Sequence, residues 1–272
     1  MRIGVVAPGR AVSRESSLRM AAFMALTYPQ HDIVFHPQCY MTEGHFAGSD
    51  EVRAAAFLEF ANDPAFDAIW FARGGYGSNR ILDAVIPRLG PAAKAKTYMG
   101  FSDMGFLLGA LYARRIGHPV HASMASGLGQ NDSGEDVGWA LGWLIDRDRR
   151  ALEPSLADGR PAVAFNLSIL SALIGTQWLP DLTDHVLIVE EVSEALYRID
   201  RMMFQVAHAT QLKGIAGIRL GAVSDVPEND VDFGETDEQI VTRWCRDMGV
   251  PYLGRAEVGH VRLNRVVPFG VL

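Results

Sequence analysis

Short apolar runs alternate with stretches of helical periodicity through the first half of the chain. Residues 3–7, 33–36, 67–71, 97–100 and 119–121 have the length and apolar density of strands, whereas 50–61 and 78–85 carry helical spacing, the first of them stopped by Asp63-Pro64. Strand and helix in alternation predict βαβ units on a largely parallel sheet, an α/β fold. Ser133 to Asp136 has the spacing of a capping box and precedes Val137, Ala140, Leu141 and Leu144, an amphipathic period. Beyond that, 167–174 reads as a buried helix, 186–189 as a strand and 194–208 as an amphipathic helix. The rest reads as several short strands, with an acidic loop at 224–238. Pro154, Gly159 and Pro161 fall between two patterned regions and predict a linker at 151–161, with domains at 1–150 and 162–272.

Composition narrows the class. Of 272 residues, 49% are hydrophobic and 21% charged, which suits a globular chain and excludes disordered and fibrous ones. Two cysteines are too few for a disulfide framework and fit a reducing compartment. Lys plus Arg total 25 against 32 Asp plus Glu, a net charge of −7 that argues against nucleic acid or an anionic membrane as partner. The apolar start 3–7 is too short for a signal-peptide core. The uncharged stretch 161–180 is broken by Asn166, Ser168, Ser171, Thr176 and Gln177, so it predicts a buried helix rather than a span. The expectation is a cytoplasmic protein.

One local pattern carries chemistry. Thr97 to Gly100 runs into Phe101-Ser102-Asp103 and straight on into a helical run, the shape of a nucleophile elbow, in which a tight turn lifts a serine hydroxyl above the sheet edge. The amide of Asp103 then stands where it could donate to an oxyanion. Serine at such a junction also serves as a helix N-cap. Arg73-Gly74-Gly75-Tyr76-Gly77 follows another strand; its glycines suit either a phosphate-binding turn or a second oxyanion donor. A serine nucleophile needs a base and an orienting acid. His260, after Gly259 in an apolar stretch, and His121, at a strand end, compete as base. Glu190 and Glu191 close a strand and compete with a role at a helix N-terminus. His31, His36, Cys39 and His45 have the composition of a metal site without a zinc spacing.

Taken together, these motifs resemble the LD-carboxypeptidases, a family of serine peptidases. The likeness runs from Val5-Val6-Ala7-Pro8 through Phe46 to Arg53, Arg73-Gly74-Gly75-Tyr76-Gly77, Gly100-Phe101-Ser102-Asp103, Asn166-Leu167-Ser168 and Glu190 through Arg201, to Gly259-His260 and Pro268-Phe269-Gly270. It departs from the family at Gly9, where serine is usual, at His121-Ala122-Ser123, where histidine-glycine-proline is common, and in the short stretch after Gly270.

The resemblance implies a triad of Ser102 as nucleophile, His260 as general base and acid, and Glu190 as the group orienting the imidazole. It also implies an oxyanion hole from the Asp103 amide and one of Gly74 or Gly75. The implied fold is an N-terminal α/β sandwich with a smaller C-terminal domain rich in β structure, paired as a homodimer. The implied activity is release of terminal D-alanine from murein tetrapeptide in cytoplasmic peptidoglycan recycling, with no metal or cofactor. Two alternatives stand beside it: a microcin-immunity type hydrolase of aminoacyl-nucleotide amides, for which Trp139, Trp143 or Trp178 could supply an aromatic shelf, and a non-catalytic small-peptide-binding module.

Overall fold

The computed structural model describes residues 1–128 and 134–271. A six-stranded sheet has the order β2-β1-β3-β4-β5-β10. Its strands are β1 (Arg2–Val6), β2 (Asp32–Phe35), β3 (Ala68–Phe71), β4 (Thr97–Gly100), β5 (His118–His121) and β10 (Val267–Pro268). All pairings are parallel except β10 on β5. Because side chains alternate across a strand, β3 feeds both faces. Ile69 and Phe71 pack with α2 (Asp50–Asn62), α3 (Leu82–Val85) and α4 (Gly105–Ala113), and Ala68 and Trp70 pack with α1 (Arg14–Thr27) and α5 (Glu135–Asp146). Apolar residues on both faces of one strand are what a parallel sheet covered on both sides requires.

A second sheet, β6-β7-β8-β9, is parallel throughout. It comprises β6 (Ala162–Asn166), β7 (Val186–Val192), β8 (Gly217–Ser224) and β9 (Tyr252–Arg255), with α6 (Leu167–Leu173), α7 (Leu196–His208) and α8 (Asp237–Met248) between its strands. The helix α8 replaces part of the run of short strands expected there. It starts in a capping box, Thr236 with Gln239, and buries Ile240, Val241 and Cys245. The capping box expected at 133–136 involves Ser133, outside the described residues; α5 begins after Gly134, itself left-handed at φ 66°.

The first half of the stretch 151–161 is packed against the end of the chain, while 157–159 is exposed. Ala151, Leu152, Glu153 and Leu156 are buried, and Ala151 and Glu153 exchange backbone hydrogen bonds with Val266. Gly270 pairs with Ala162 while neighbouring β10 completes the first sheet, so the end of the chain stitches the two sheets together. No helix of the described residues is long and apolar enough to cross a membrane.

The side chain of Arg53, on α2, is 0% exposed. The guanidinium donates to the carbonyls of Pro8 and Gly77, pairs with Asp50 and stacks on Phe46. It thereby clamps the turn after β1 to the glycine loop after β3. Arg53→Met strands two buried carbonyls, each costing about 1–3 kcal/mol when left unpaired. The variant is expected to lose roughly 2–4 kcal/mol in urea unfolding; a loss below about 0.5 kcal/mol, the usual scale of a surface change, would refute the clamp.

Candidate active site

The elbow forms where the sequence places it. β4 is buried along its length and delivers the chain to Ser102, which has φ 56°. A non-glycine residue in that region costs about 1–2 kcal/mol and is held there only by its surroundings. Ser102 is the first residue of a short 3₁₀ turn whose N-cap is Phe101, so the serine is not the N-cap of that turn. Asp103 anchors the turn from below: its carboxylate accepts the Ser78 amide at 2.9 Å and its carbonyl accepts the Ser78 hydroxyl at 2.6 Å. Burial pushes the Asp103 carboxyl up, against the hydrogen bonds from Ser78 and Gly77 and the charge of Arg53. These bonds bring the glycine loop against the elbow. A Cβ on Gly74 would lie 3.1 Å from the Ser102 Oγ and crowd the hydroxyl.

Strand β7 and the loop between β9 and β10 supply the other two groups. Successive side chains of a strand point to opposite faces, so the adjacent carboxylates of β7 serve different tasks. The Glu190 carboxylate, 0% exposed, accepts from or shares a proton with His260 Nδ1 at 2.8 Å. Glu191 instead accepts from the Asn166 amide at 2.7 Å and from the Ser168 amide and hydroxyl at 2.8 and 2.7 Å, closing the start of α6. Burial raises its pKa against those bonds. Gly259, at φ 130°, brings His260 in: a Cβ there would meet Ala222 Cβ at 3.0 Å and Glu190 Cβ at 3.2 Å. Burial opposes the His260 cation, but the hydrogen bond to Glu190 and the charges of Glu190, Glu191 and Asp225 outweigh it and raise the pKa.

Ser102, His260, Gly74, Gly75 and Arg73 line one cavity of about 510 Å³. It opens beyond the carboxyl ends of β3, β4 and β5, the usual ligand crevice of an open parallel sheet. Burial and the neighbouring Arg10 lower the pKa of Arg73, and among the described residues no carboxylate pairs with it. Arg80, the other nearby cation, is tied to Asp50 at 2.8 Å and stacked on Phe46. Of the positions departing from the family pattern, Ser123 faces the cavity and Gly9 does not.

His121 is buried behind the site rather than in it. Burial lowers its pKa against the pull of Glu190, and its Nε2 lies 3.0 Å from the Asn264 Oδ1. Asn264 is the residue that sequence reading missed. Its Oδ1 also accepts the Gly259 amide at 3.0 Å, and its Nδ2 reaches Ser123 Oγ at 3.5 Å. It ties the His260 segment to the end of β5 across 143 positions of sequence, a link no local pattern reveals. None of Trp139, Trp143 and Trp178 lines the cavity: Trp178 is in the core, and Trp139 and Trp143 sit under Arg265 and Arg147. The expected aromatic shelf is therefore not theirs.

The histidines and cysteine of the N-terminal third are dispersed. His31 meets the terminal amine, His36 caps a 3₁₀ turn and faces Glu59, and His45 meets Phe46 edge to face. The Cys39 thiol is buried and pushed up to about 12. Among the described residues no group of three metal-capable side chains comes together.

Models of the N-terminal and C-terminal domains of LD-carboxypeptidases match residues 3–122 and 161–272. A Streptomyces coelicolor protein provisionally named a carboxypeptidase is 31% identical over 99% of this chain and 88% of its own. The murein tetrapeptide carboxypeptidase of Pseudomonas aeruginosa is 26% identical over 99% of this chain and 91% of its own. The crystal structure of muramoyltetrapeptide carboxypeptidase from Oxalobacter formigenes superposes with a TM-score of 0.81 at 22% identity, covering 99% of this chain and 93% of that one. The microcin C7 self immunity protein MccF, in complex with aspartyl sulfamoyl adenosine, superposes with a TM-score of 0.80 at 15% identity, covering 99% and 91%. At these identities the two structures establish a shared fold.

Proposed function

The chain belongs to the LD-carboxypeptidase family, and from that premise we propose that it is a serine carboxypeptidase releasing the terminal D-alanine of murein tetrapeptides. The observation that carries the reading is the 2.8 Å contact between His260 Nδ1 and a fully buried Glu190, on the wall of the cavity that Ser102 enters from a strained turn. The name of the Pseudomonas relative supports the substrate class.

In the proposed mechanism Ser102 Oγ attacks the carbonyl carbon of the last peptide bond as His260 Nε2 takes its proton. Glu190 holds the imidazole by Nδ1 and balances the imidazolium. The oxyanion is received by the Asp103 amide and one of Gly74 or Gly75. Collapse breaks the C–N bond, and His260 returns the proton to the departing D-alanine amine. Water then enters by the same base and frees the tripeptide from Ser102. Arg73 is the proposed partner of the substrate's terminal carboxylate, since it lines the cavity with no carboxylate paired to it among the described residues. A cytoplasmic homodimer working in peptidoglycan recycling completes the proposal.

The test is a peptide set read by mass spectrometry: the tetrapeptide ending in D-alanine, its L-alanine epimer, the D-terminal amide, and an aminoacyl sulfamoyl adenosine. Inverting the terminal centre exchanges methyl and carboxylate, so a pocket that seats the carboxylate displaces the scissile carbonyl. A shift of about 1 Å costs about a hundredfold in rate. The epimer is expected to turn over about a hundredfold more slowly, and the amide to lose the charge-assisted bond to Arg73, about 1.5–3 kcal/mol. Equal cleavage of both epimers would defeat the LD assignment. Preference for the adenosine conjugate would favour the immunity-type activity, and binding without product the non-catalytic module.

A further inference from the structure

A second cavity, about 550 Å³, lies at the opposite end of the first sheet, beside His118 and Pro119 where β5 begins. Its wall carries three arginines, Arg115, Arg147 and Arg149, set against the aromatic rings of Tyr112, Trp143 and Phe269, and no Asp or Glu lines it. That is unusual ground in a chain with net charge −7. None of the three guanidinium groups has a carboxylate partner among the described residues. The nearest acids in sequence are engaged elsewhere: Asp148 by Arg150 at 2.8 Å and Asp146 by the Tyr28 hydroxyl at 3.3 Å.

Backbone conformation supplies an independent observation. The chain leaves α4 through Arg115 at φ 53° and α5 through Arg147 at φ 54°. Helices normally turn off through glycine in this region, as α8 does at Gly249, φ 70°. Six non-glycine residues have positive φ among those described; one is Ser102 and two are these arginines. Arginine at a glycine position sacrifices stability, and such outliers gather where a site needs the side chain. Arg147 also lies over the Trp143 ring at 4.4 Å, which holds the guanidinium in place before any ligand arrives.

We propose that this cavity binds a small organic anion made of a phosphate or carboxylate group on a flat ring, the anion on Arg115, Arg147 and Arg149 and the ring among Tyr112, Trp143 and Phe269. The fit is one of chemistry and size: the cavity falls within the roughly 300–1,000 Å³ of small-molecule sites, and arginine suits bidentate capture of oxyanions. The site is independent of the hydrolytic reading, because it touches neither Ser102 nor His260.

The experiment is calorimetric titration of the full chain with phenyl phosphate, inorganic phosphate and benzyl alcohol. Phenyl phosphate is expected to bind saturably, with inorganic phosphate at least tenfold weaker and benzyl alcohol without measurable heat. The double variant Arg115→Gly, Arg147→Gly is expected to weaken phenyl phosphate at least tenfold while raising Tm by a few degrees, because glycine relieves both turns. Tetrapeptide hydrolysis stays unchanged in the variant, or is absent in both proteins if the hydrolytic reading is wrong. A wild-type chain that does not saturate, inorganic phosphate binding as tightly as phenyl phosphate, an unaltered affinity in the double variant, or a fall in its Tm would each overturn the proposal.

Discussion

Ser102→Ala is expected to abolish release of D-alanine while leaving the protein folded. In the proposed mechanism the hydroxyl is the attacking atom, and loss of a triad nucleophile costs on the order of a million-fold in turnover. Because Ser102 sits at φ 56° without capping the turn that follows, its removal takes away no helix-stabilising bond. Ser102→Gly sharpens the test. Glycine adopts that conformation without the Cβ clash, so this variant should be equally inactive and about 1 kcal/mol more stable, a rise of a few degrees in Tm. An inactive protein more stable than its parent is the signature of a residue kept for chemistry. Retention of more than a few per cent of activity in the alanine variant, with D-alanine release followed by mass spectrometry, would reduce Ser102 to a turn residue and end the proposed mechanism.

The elbow was legible because its signal is local: an apolar strand, Gly100, then serine two residues later and a helical run. The alternation of β1 to β5 with helices was legible for the same reason, since burial on both faces imposes continuous apolar runs. Legibility failed where the determining contact is distant or the pattern is weak. α8 carries a Thr236-to-Gln239 capping box and buried positions at 240, 241 and 245, but an acidic loop precedes it and a strand, β9, follows at Tyr252, so the region reads as strands. α1 buries only Ser17, Met20 and Met24, too thin an apolar stripe to stand out. Which of Glu190 and Glu191 faces the imidazole depends on which face of β7 meets the loop carrying His260, 70 residues downstream. Arg53 and Asn264 are each defined by partners brought together only by the fold: two turns and an aspartate for one, a glycine amide and a buried histidine for the other.

Glu190→Gln is the variant expected to separate orientation from charge. Glutamine keeps the shape of the fully buried side chain but removes the charge opposite His260 Nδ1. In the proposed mechanism this leaves the imidazolium unbalanced as Ser102 gives up its proton and lets the ring take the wrong tautomer. An analogous carboxylate-to-amide change in a serine protease triad lowers turnover roughly ten-thousand-fold. The pH dependence carries a second, sharper expectation. His260 must be neutral to accept a proton, and its pKa is raised above the ordinary value of about 6.5, its bond to Glu190 prevailing over burial. Activity of the wild-type chain should therefore rise with pH through a value higher than that of a free histidine. Stability runs the other way: a raised folded-state pKa contributes fully below the unfolded value and is lost as pH climbs through the folded one. The chain thus gains activity over the same interval in which it surrenders this part of its stability. In Glu190→Gln the residual activity should begin to rise at lower pH, because burial then acts on His260 without its counter-charge, and the stability change across that interval should flatten. Measuring kcat/KM and urea unfolding from about pH 5 to 9 reads both effects on the same protein. An activity limb at the same pH in both chains would show that Glu190 does not set the basicity of His260, whatever the loss in rate.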